Sequence, residues 1–333
     1  AVRSSSLFED SSFQPFAGIY QTYMIPNADD DLDVRLDELS RAIRLVYAST
    51  YSAESKGYVE STPNRLEEEK MAVVLQQIVG ERHGDRFYPT FSGVCRSHNF
   101  YPTPPLEAED GIAIVALGLG RTVVEGEKAL RFCPRYPQHV VQFSTVPDLL
   151  DGTQREFWAL QLDDDSDPGR TPRLREVRQG LDVAERDGTL DPVGSTYSHE
   201  NRAVYDGTSR AGTRLVTFAP ILKHDRFPLA EVLEVLMTIG EEGTSSPVEM
   251  EFAVQLPSTP DGVAEFGFLQ LRPLAISREL EELEIEHVDV DRAICRSPRV
   301  MGHGRIEDIR DIVVVDYHRF NRARSREAAK EVG

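Results

Sequence analysis

At 333 residues the chain is long enough to bury a large core and to fold as two or three compact units. Its 40% hydrophobic and 28% charged residues are those of an ordinary globular protein, and no apolar run approaches the roughly 20 residues that a membrane helix needs, so no membrane partner is expected. The formal charge of −19 argues against nucleic acid, because phosphate backbones are gripped by basic stripes; an anionic ligand here needs a local basic pocket or a bridging cation.

In chain order, residues 1–27 read as a Ser-rich turn followed by a strand in "GIYQTYMI", where aromatic and β-branched residues concentrate. A helix follows in "DLDVRLDELSRAIRLVYAST", with Leu32, Leu36, Leu39, Ile43 and Val46 at helical spacing, acids in front and arginines behind. "MAVVLQQIV" reads as a buried strand, "GERHGDRFY" as a polar turn, and "TFSGVCRSH" as a strand that pairs back on the first. "DGIAIVALGLG" is a strand entering a glycine turn, and "EFWALQL" a further strand. The Asp-, Pro-, Gly- and Arg-rich stretch from Asp163 to Gly194 reads as a surface insertion or a boundary between lobes. In "FPLAEVLEVLMTIG" Pro228 suits the first turn of a helix, Leu229, Val232, Leu233 and Leu236 form its apolar face, and Gly240 ends it. This irregular alternation predicts an α/β or α+β protein with mixed sheets.

Three constellations carry chemistry. In "VEMEFAVQL" strand alternation sends Val248, Met250, Phe252, Val254 and Leu256 to one face and Glu249 and Glu251 to the other. In "FGFLQLRPL" Gln270 and Arg272 share a face, and Pro273 ends the strand. Paired as a hairpin with polar faces together, these residues either form a platform for Mg²⁺ and a nucleotide, or an ordinary half-buried hairpin with a surface Glu–Arg pair. The opening "AVRSSSLFED" presents Arg3 and three serines, with Gly18 beyond; this is either a loop or helix cap, or a cradle for phosphates. In "ALGLGRTVVEG", Gly118 and Gly120 follow a strand as either a structural turn or a place where backbone approaches a ligand closely.

Cys95, Cys133 and Cys295 are few, odd in number and widely spaced, which excludes a disulfide framework and a CxxC zinc site and fits a reducing, cytoplasmic setting. No secretion signal is visible. His303 in "MGHGR" reads as a structural or solvated turn histidine, and "LDDDSDPGR" as a solvated acidic loop without the spacing of a calcium site. Because the chain opens on Ala1 and Val2 and closes on the unfinished "SREAAKEVG", it reads as an excised piece of a longer multidomain protein, with natural sequence upstream.

Together and in this order the constellations resemble the N-terminal nucleotide-binding domain of the phosphoenolpyruvate synthase and pyruvate phosphate dikinase family. Arg3, Ser4, Ser5, Glu9, Asp10, Phe16, Ala17 and Gly18 resemble its "VRSS…ED…FAG" signature; Ser92, Gly93 and Val94 resemble its "SGVxF" strand. "GLGRTVVEG" is similar to its "GLGExVVxG", and "EMEFA" with "LQLRPL" to its "DIEWA…Q.RP". The resemblance implies an ATP-grasp-like region over residues 1–275, lacking its N-terminal segment, and the truncated start of a following region over 276–333. It implies ATP and Mg²⁺ as cofactors: Arg3 and Arg272 hold phosphates and serve catalysis, Glu251 and Gln270 bind the metal, Glu249 serves it indirectly, and Ser4, Gly18, Gly118, Gly120 and Arg121 line the nucleotide. It also implies partners outside the chain: a swivelling phosphohistidine domain that takes phosphate from ATP, and a pyruvate or phosphoenolpyruvate-type acceptor domain.

Arg121 departs from the pattern, which has Glu there, so it stands either for a phosphate contact or for a subgroup with altered recognition. None of the eight histidines fits the phosphocarrier signature. The function expected is thus the ATP-binding part of a phosphotransferase. A non-catalytic module that binds a nucleotide or phosphorylated ligand is the alternative, and a ligand-free scaffold follows if the four hairpin residues fail to converge.

Overall fold

A computed structural model describes residues 1–9, 18–60, 65, 68–103, 105–143, 145–162, 175–259, 261–274 and 310. In chain order its first elements are β1 (Val2–Ser6), α1 (Leu32–Ser49), α2 (Ala53–Glu60), β2 (Met71–Leu75), β3 (Glu81–His83), β4 (Arg86–Tyr88), β5 (Phe91–Arg96), β6 (Ile112–Leu117), α3 (Arg121–Val124), β7 (Leu130–Phe132) and α4 (Val146–Gly152). There follow β8 (Glu156–Gln161), β9 (Glu176–Gly180), α5 (Leu181–Arg186), β10 (Gly194–Ser198), β11 (Ala203–Asp206), β12 (Thr213–Val216), α6 (Ala219–Leu222), α7 (Leu229–Thr244), β13 (Val248–Gln255) and β14 (Glu265–Pro273).

The fold is mixed α and β, with four sheets among the described residues: β1-β2, β11-β10-β12, β14-β13-β5-β6-β7 and β3-β4-β8-β9. Every strand pair among the described residues is antiparallel, which corrects the expectation of mixed sheets. Connections such as the two residues between β3 and β4 are the reason, since a parallel pair needs a crossover of about a dozen residues or more.

One large core joins the inner face of the five-stranded sheet (Phe91, Cys95, Val115, Leu117, Met250, Phe252) to Phe157 and Ala159 of β8 and to Leu233 and Met237 of α7. The predicted helix at 31–50 is α1, with the Asp31 carboxylate accepting the Asp33 N–H at 2.8 Å. Its stripe buries only toward the C-terminal half: Ala42 and Val46 pack on Val2 of β1 and on Tyr23, whereas Leu32 and Leu36 stay exposed. Helix α7 also matches its pattern at Leu229 and Leu233, but Gly240 does not end it. The helix runs to Thr244, and Gly240 is buried where an added Cβ would stand 2.8 Å from Leu271 and 3.0 Å from Val248.

Other expectations are corrected. "GIYQTYMI" makes one bridge, Tyr23 to Val2, rather than a strand, and Pro26 follows directly. β2 is a partly exposed edge paired to β1, not a buried strand, and the polar stretch after it is the β3–β4 hairpin. β5 does not pair with β2; it lies at the centre of the five-stranded sheet between β13 and β6. Within 163–194, the described part from Arg175 onward includes β9 and α5, with Leu181, Val183 and Ala184 buried in the main core, so it is not simply a surface insertion. Cys95 and Cys133 are buried free thiols. Residues 10–17, the acidic loop 163–170, Cys295, His303 and the rest of the region 276–333 apart from Arg310 lie outside the described residues.

Candidate functional site

The predicted hairpin forms, and its register joins the expected residues: in β13–β14, Glu249 stands opposite Arg272 and Glu251 opposite Gln270. Simple alternation in "FGFLQLRP" would place Phe266, Phe268, Gln270 and Arg272 on one face. The register instead slips between Glu251 and Phe252, whose partners are Gln270 and Phe268, so that Leu269 is the extra residue of a bulge. The bulge exchanges the faces. Phe266 stacks on buried Phe252 at 5.4 Å and Leu271 packs against the core, while Gln270 and Arg272 stand with the glutamates on the other face.

Glu249 is 5% exposed and lies between two arginines on flanking strands. Its Oε2 accepts from Arg96 Nε at 2.5 Å, and its Oε1 accepts from Arg272 Nε at 2.8 Å and also from Nη2. Burial acts to raise its pKa, but the Arg272 and Arg96 guanidiniums outweigh burial and hold it below the usual carboxylate range. Both oxygens thus meet guanidinium donors, so Glu249 holds Arg96 and Arg272 in position.

Arg3 arrives from a different sheet. The stretch Val2–Ser6 is strand β1, not a turn, with Val2, Ser4 and Ser6 buried on one side and Arg3 on the other. Arg3 Nη1 donates to Glu251 Oε2 at 3.5 Å and Nη2 to Gln270 Oε1. A second tie lies alongside, from Gln76 Nε2 to the carbonyl of the bulged Leu269 at 3.0 Å. Ser4 does not join the group: its hydroxyl is buried on the opposite side of β1 and donates to Glu9 at 2.9 Å. Gly18, at φ +76°, is not brought to the group either: among the described residues nothing lies within 4 Å of where its Cβ would be.

The glycine turn stands at one end of this same sheet face. Along β5, Ser92, Val94 and Arg96 face the side of Ala253, Glu251 and Glu249, and Ser92 Oγ donates to the Gly118 carbonyl at 2.8 Å. Gly118 has φ +83°, and an added Cβ would lie 2.7 Å from the Trp158 carbonyl, so here the chain needs glycine to pack the turn against β8. Gly118→Ala should therefore lower stability by about 2–4 kcal/mol, combining left-handed strain with overpacking; an unchanged urea midpoint would remove that explanation. Gly120 is less crowded, its Cβ position meeting only Ser92, at 3.7 Å, among the described residues. Arg121 turns away from the group. Its guanidinium lies 4.0 Å from the Trp158 ring centroid and pairs with Glu125 at 2.8 Å and Glu176 at 3.5 Å.

No three or more His, Cys, Asp or Glu side chains gather as a metal cage among the described residues. Mg²⁺ beside phosphates needs only one or two protein oxygens. Glu251 and Gln270 fit that demand, as hard oxygen donors directly across a strand pair, each accepting a hydrogen bond from Arg3.

Residues 1–291 match the family described as "Pyruvate phosphate dikinase, AMP/ATP-binding domain". The chain belongs to that family. Among curated relatives of this pyruvate phosphate dikinase domain, the phosphoenolpyruvate synthase of Aeropyrum pernix is 26% identical over 287 residues, covering 85% of this chain and 29% of the relative. The uncharacterized phosphotransferase YvkC of Bacillus subtilis is 29% identical over 128 residues, covering 38% of this chain and 13% of the relative. The chain thus spans less than a third of the length of either. Among the described residues, no helix of this family member is long and apolar enough to cross a membrane.

Sequence reasoning missed Arg96 and Gln76. Alternation along β5 was the signal for Arg96, since it puts Ser92, Val94 and Arg96 on one face, and the "SGVxF" pattern has an aromatic where Arg96 stands. Gln76 carries no such signal, because its partner is a backbone carbonyl freed by the bulge.

Proposed function

We propose that this chain holds Mg-ATP for a phosphotransferase, in an ATP-grasp-like arrangement where the β1–β2 sheet and the five-stranded sheet meet. The observation that carries the reading is the reach of Arg3 from β1 to Glu251 and Gln270, about which phosphate and metal ligands gather. Arg3 and Arg272 hold phosphate oxygens, Arg272 oriented by Glu249; Glu251 and Gln270 hold the metal, and the open Gly120 turn borders the nucleotide. Mg²⁺, when bound, neutralises charge on the phosphates. The chain's own part in transfer is positioning and electrostatic: guanidinium donors fixed before the nucleotide arrives stabilise charge on the transferring phosphoryl group without reorganising. The phosphoryl group passes to a histidine on a separate swivelling domain and from there to a pyruvate or phosphoenolpyruvate-type acceptor.

The reading as a non-catalytic module gains nothing from Arg121, because Trp158, Glu125 and Glu176 engage its guanidinium and it adds no foreign charge to the group. The test is thermal unfolding with Mg-ATP, ATP plus chelator, and Mg-GTP. A ligand at 100 times its dissociation constant adds about 2.7 kcal/mol, so the expected outcome is a rise in Tm of several degrees that needs both ATP and Mg²⁺. The same Tm in all conditions would overturn the assignment.

A further inference from the structure

Glu249 orients two arginines, and only one of them was expected. Arg96 spends Nε on Glu249 Oε2 and neither Nη atom has a partner among the described residues; Arg272 spends Nε and Nη2 on Oε1 and keeps Nη1. The Arg96 side chain is 39% exposed and the Arg272 side chain 22%, against 5% for the carboxylate between them. A buried anion thus fixes two cations by their inner edges and leaves their outer N–H groups open on the face that carries Glu251 and Gln270. One carboxylate offsets one of two positive charges, so the trio keeps a net charge of about +1. In a chain of net charge −19, this local cationic edge is what an anionic ligand requires.

We propose that Arg96 is a third phosphoryl-binding guanidinium beside Arg3 and Arg272, and that with Arg272 it grips the terminal phosphate of a polyphosphate ligand. The proposal rests on the nucleotide reading for the identity of the ligand, but the anion site itself stands on Arg96, Glu249 and Arg272. Guanidinium N–H groups bind phosphate oxygens in pairs at fixed angles, and a lysine ammonium does not reproduce that fork. Arg96 accordingly distinguishes ligands by phosphate number: it acts on a triphosphate and has nothing to hold in a monophosphate.

The test measures binding of Mg-ATP, AMP and inorganic tripolyphosphate by the whole chain and by its Arg96→Met and Arg96→Lys variants, with the Tm of each unliganded protein. Methionine keeps much of the apolar stem, so packing is largely retained. The expected result is an affinity for ATP and tripolyphosphate lowered about tenfold or more in Arg96→Met, the scale of one lost charge-assisted hydrogen bond, with partial recovery in Arg96→Lys and unchanged AMP binding. A general loosening of the site would instead weaken all three ligands in proportion, and that result overturns the proposal, as does equal triphosphate binding by variant and wild type. If the wild type binds tripolyphosphate but not ATP, and Arg96→Met loses it, the anion site stands and the nucleotide reading falls. A wild type that binds neither overturns both.

Discussion

Glu251→Ala is expected to remove the Mg²⁺-dependent stabilisation by ATP while leaving the unliganded protein nearly as stable as before. The Glu251 side chain is 28% exposed, and its one side-chain hydrogen bond among the described residues, to Arg3, is 3.5 Å long. Pairs of that kind contribute about 0–1 kcal/mol, so the fold loses little. Binding is another matter, because in the reading proposed above Glu251 supplies the carboxylate that holds the metal, while Glu249 engages Arg96 and Arg272. A hundredfold loss of affinity, at a ligand concentration giving the wild type about 2.7 kcal/mol, leaves the variant about 0.4 kcal/mol. Calorimetric unfolding with and without Mg-ATP separates the two effects. A variant that keeps the full wild-type increment would show that Glu251 is not a ligand of the metal.

Elements whose residues satisfy a local rule were readable from the chain. Helix α7 has its apolar face at Leu229 and Leu233, α1 its buried position at Val46 on the predicted stripe, and β13 turns Val248, Met250, Phe252 and Val254 to one face. Each follows from one periodicity, and tertiary context only confirms it. What was not readable depends on partners distant in sequence. "TFSGVCRSH" looks like half of a hairpin, but its partners are a strand some 20 residues on and another some 150 residues on, and nothing local states this. The end of α7 was misplaced because Gly240 has two meanings: a helix stop by conformation, or, as here, a gap that lets Val248 and Leu271 close on the helix.

The candidate site divides along the same line. Four of its residues were legible because they sit on two consecutive strands whose pairing also brings the family resemblance together. Even there a count by twos misleads: it puts Phe268 and Gln270 on one face, and the bulge at Leu269 sends them to opposite faces. The opening arginine was found through the resemblance, yet its setting was misread, since serines that suggest a phosphate turn lie in a strand, with Ser4 turned to Glu9. Arg121 shows the opposite failure. A charged residue in a glycine turn invites a ligand, and Trp158 and Glu176, supplied by β8 and β9, account for it instead.

Glu249, two residues before Glu251 on the same strand, should behave in the opposite way: Glu249→Gln is expected to destabilise the unliganded protein. The amide keeps the shape and removes the charge, and its NH₂ must face one of the two guanidiniums, donor against donor. Breaking a fully buried pair costs about 3–5 kcal/mol, and because the Arg96 and Arg272 tips reach solvent, about 2 kcal/mol is expected here. The pH dependence follows from the lowered pKa of Glu249. A carboxyl that ionises more readily folded than unfolded adds stability that is fully present above its unfolded-state pKa and disappears as pH falls through its folded-state pKa. The difference between wild type and Glu249→Gln should therefore be constant from neutral pH down to the ordinary glutamate range, near pH 4–5, and shrink below it. Urea unfolding of both proteins at steps between pH 7 and pH 3 measures this directly. A gap that stays flat across the whole range, or widens toward acid, would mean that the loss comes from packing and that the charge between Arg96 and Arg272 is not what holds them.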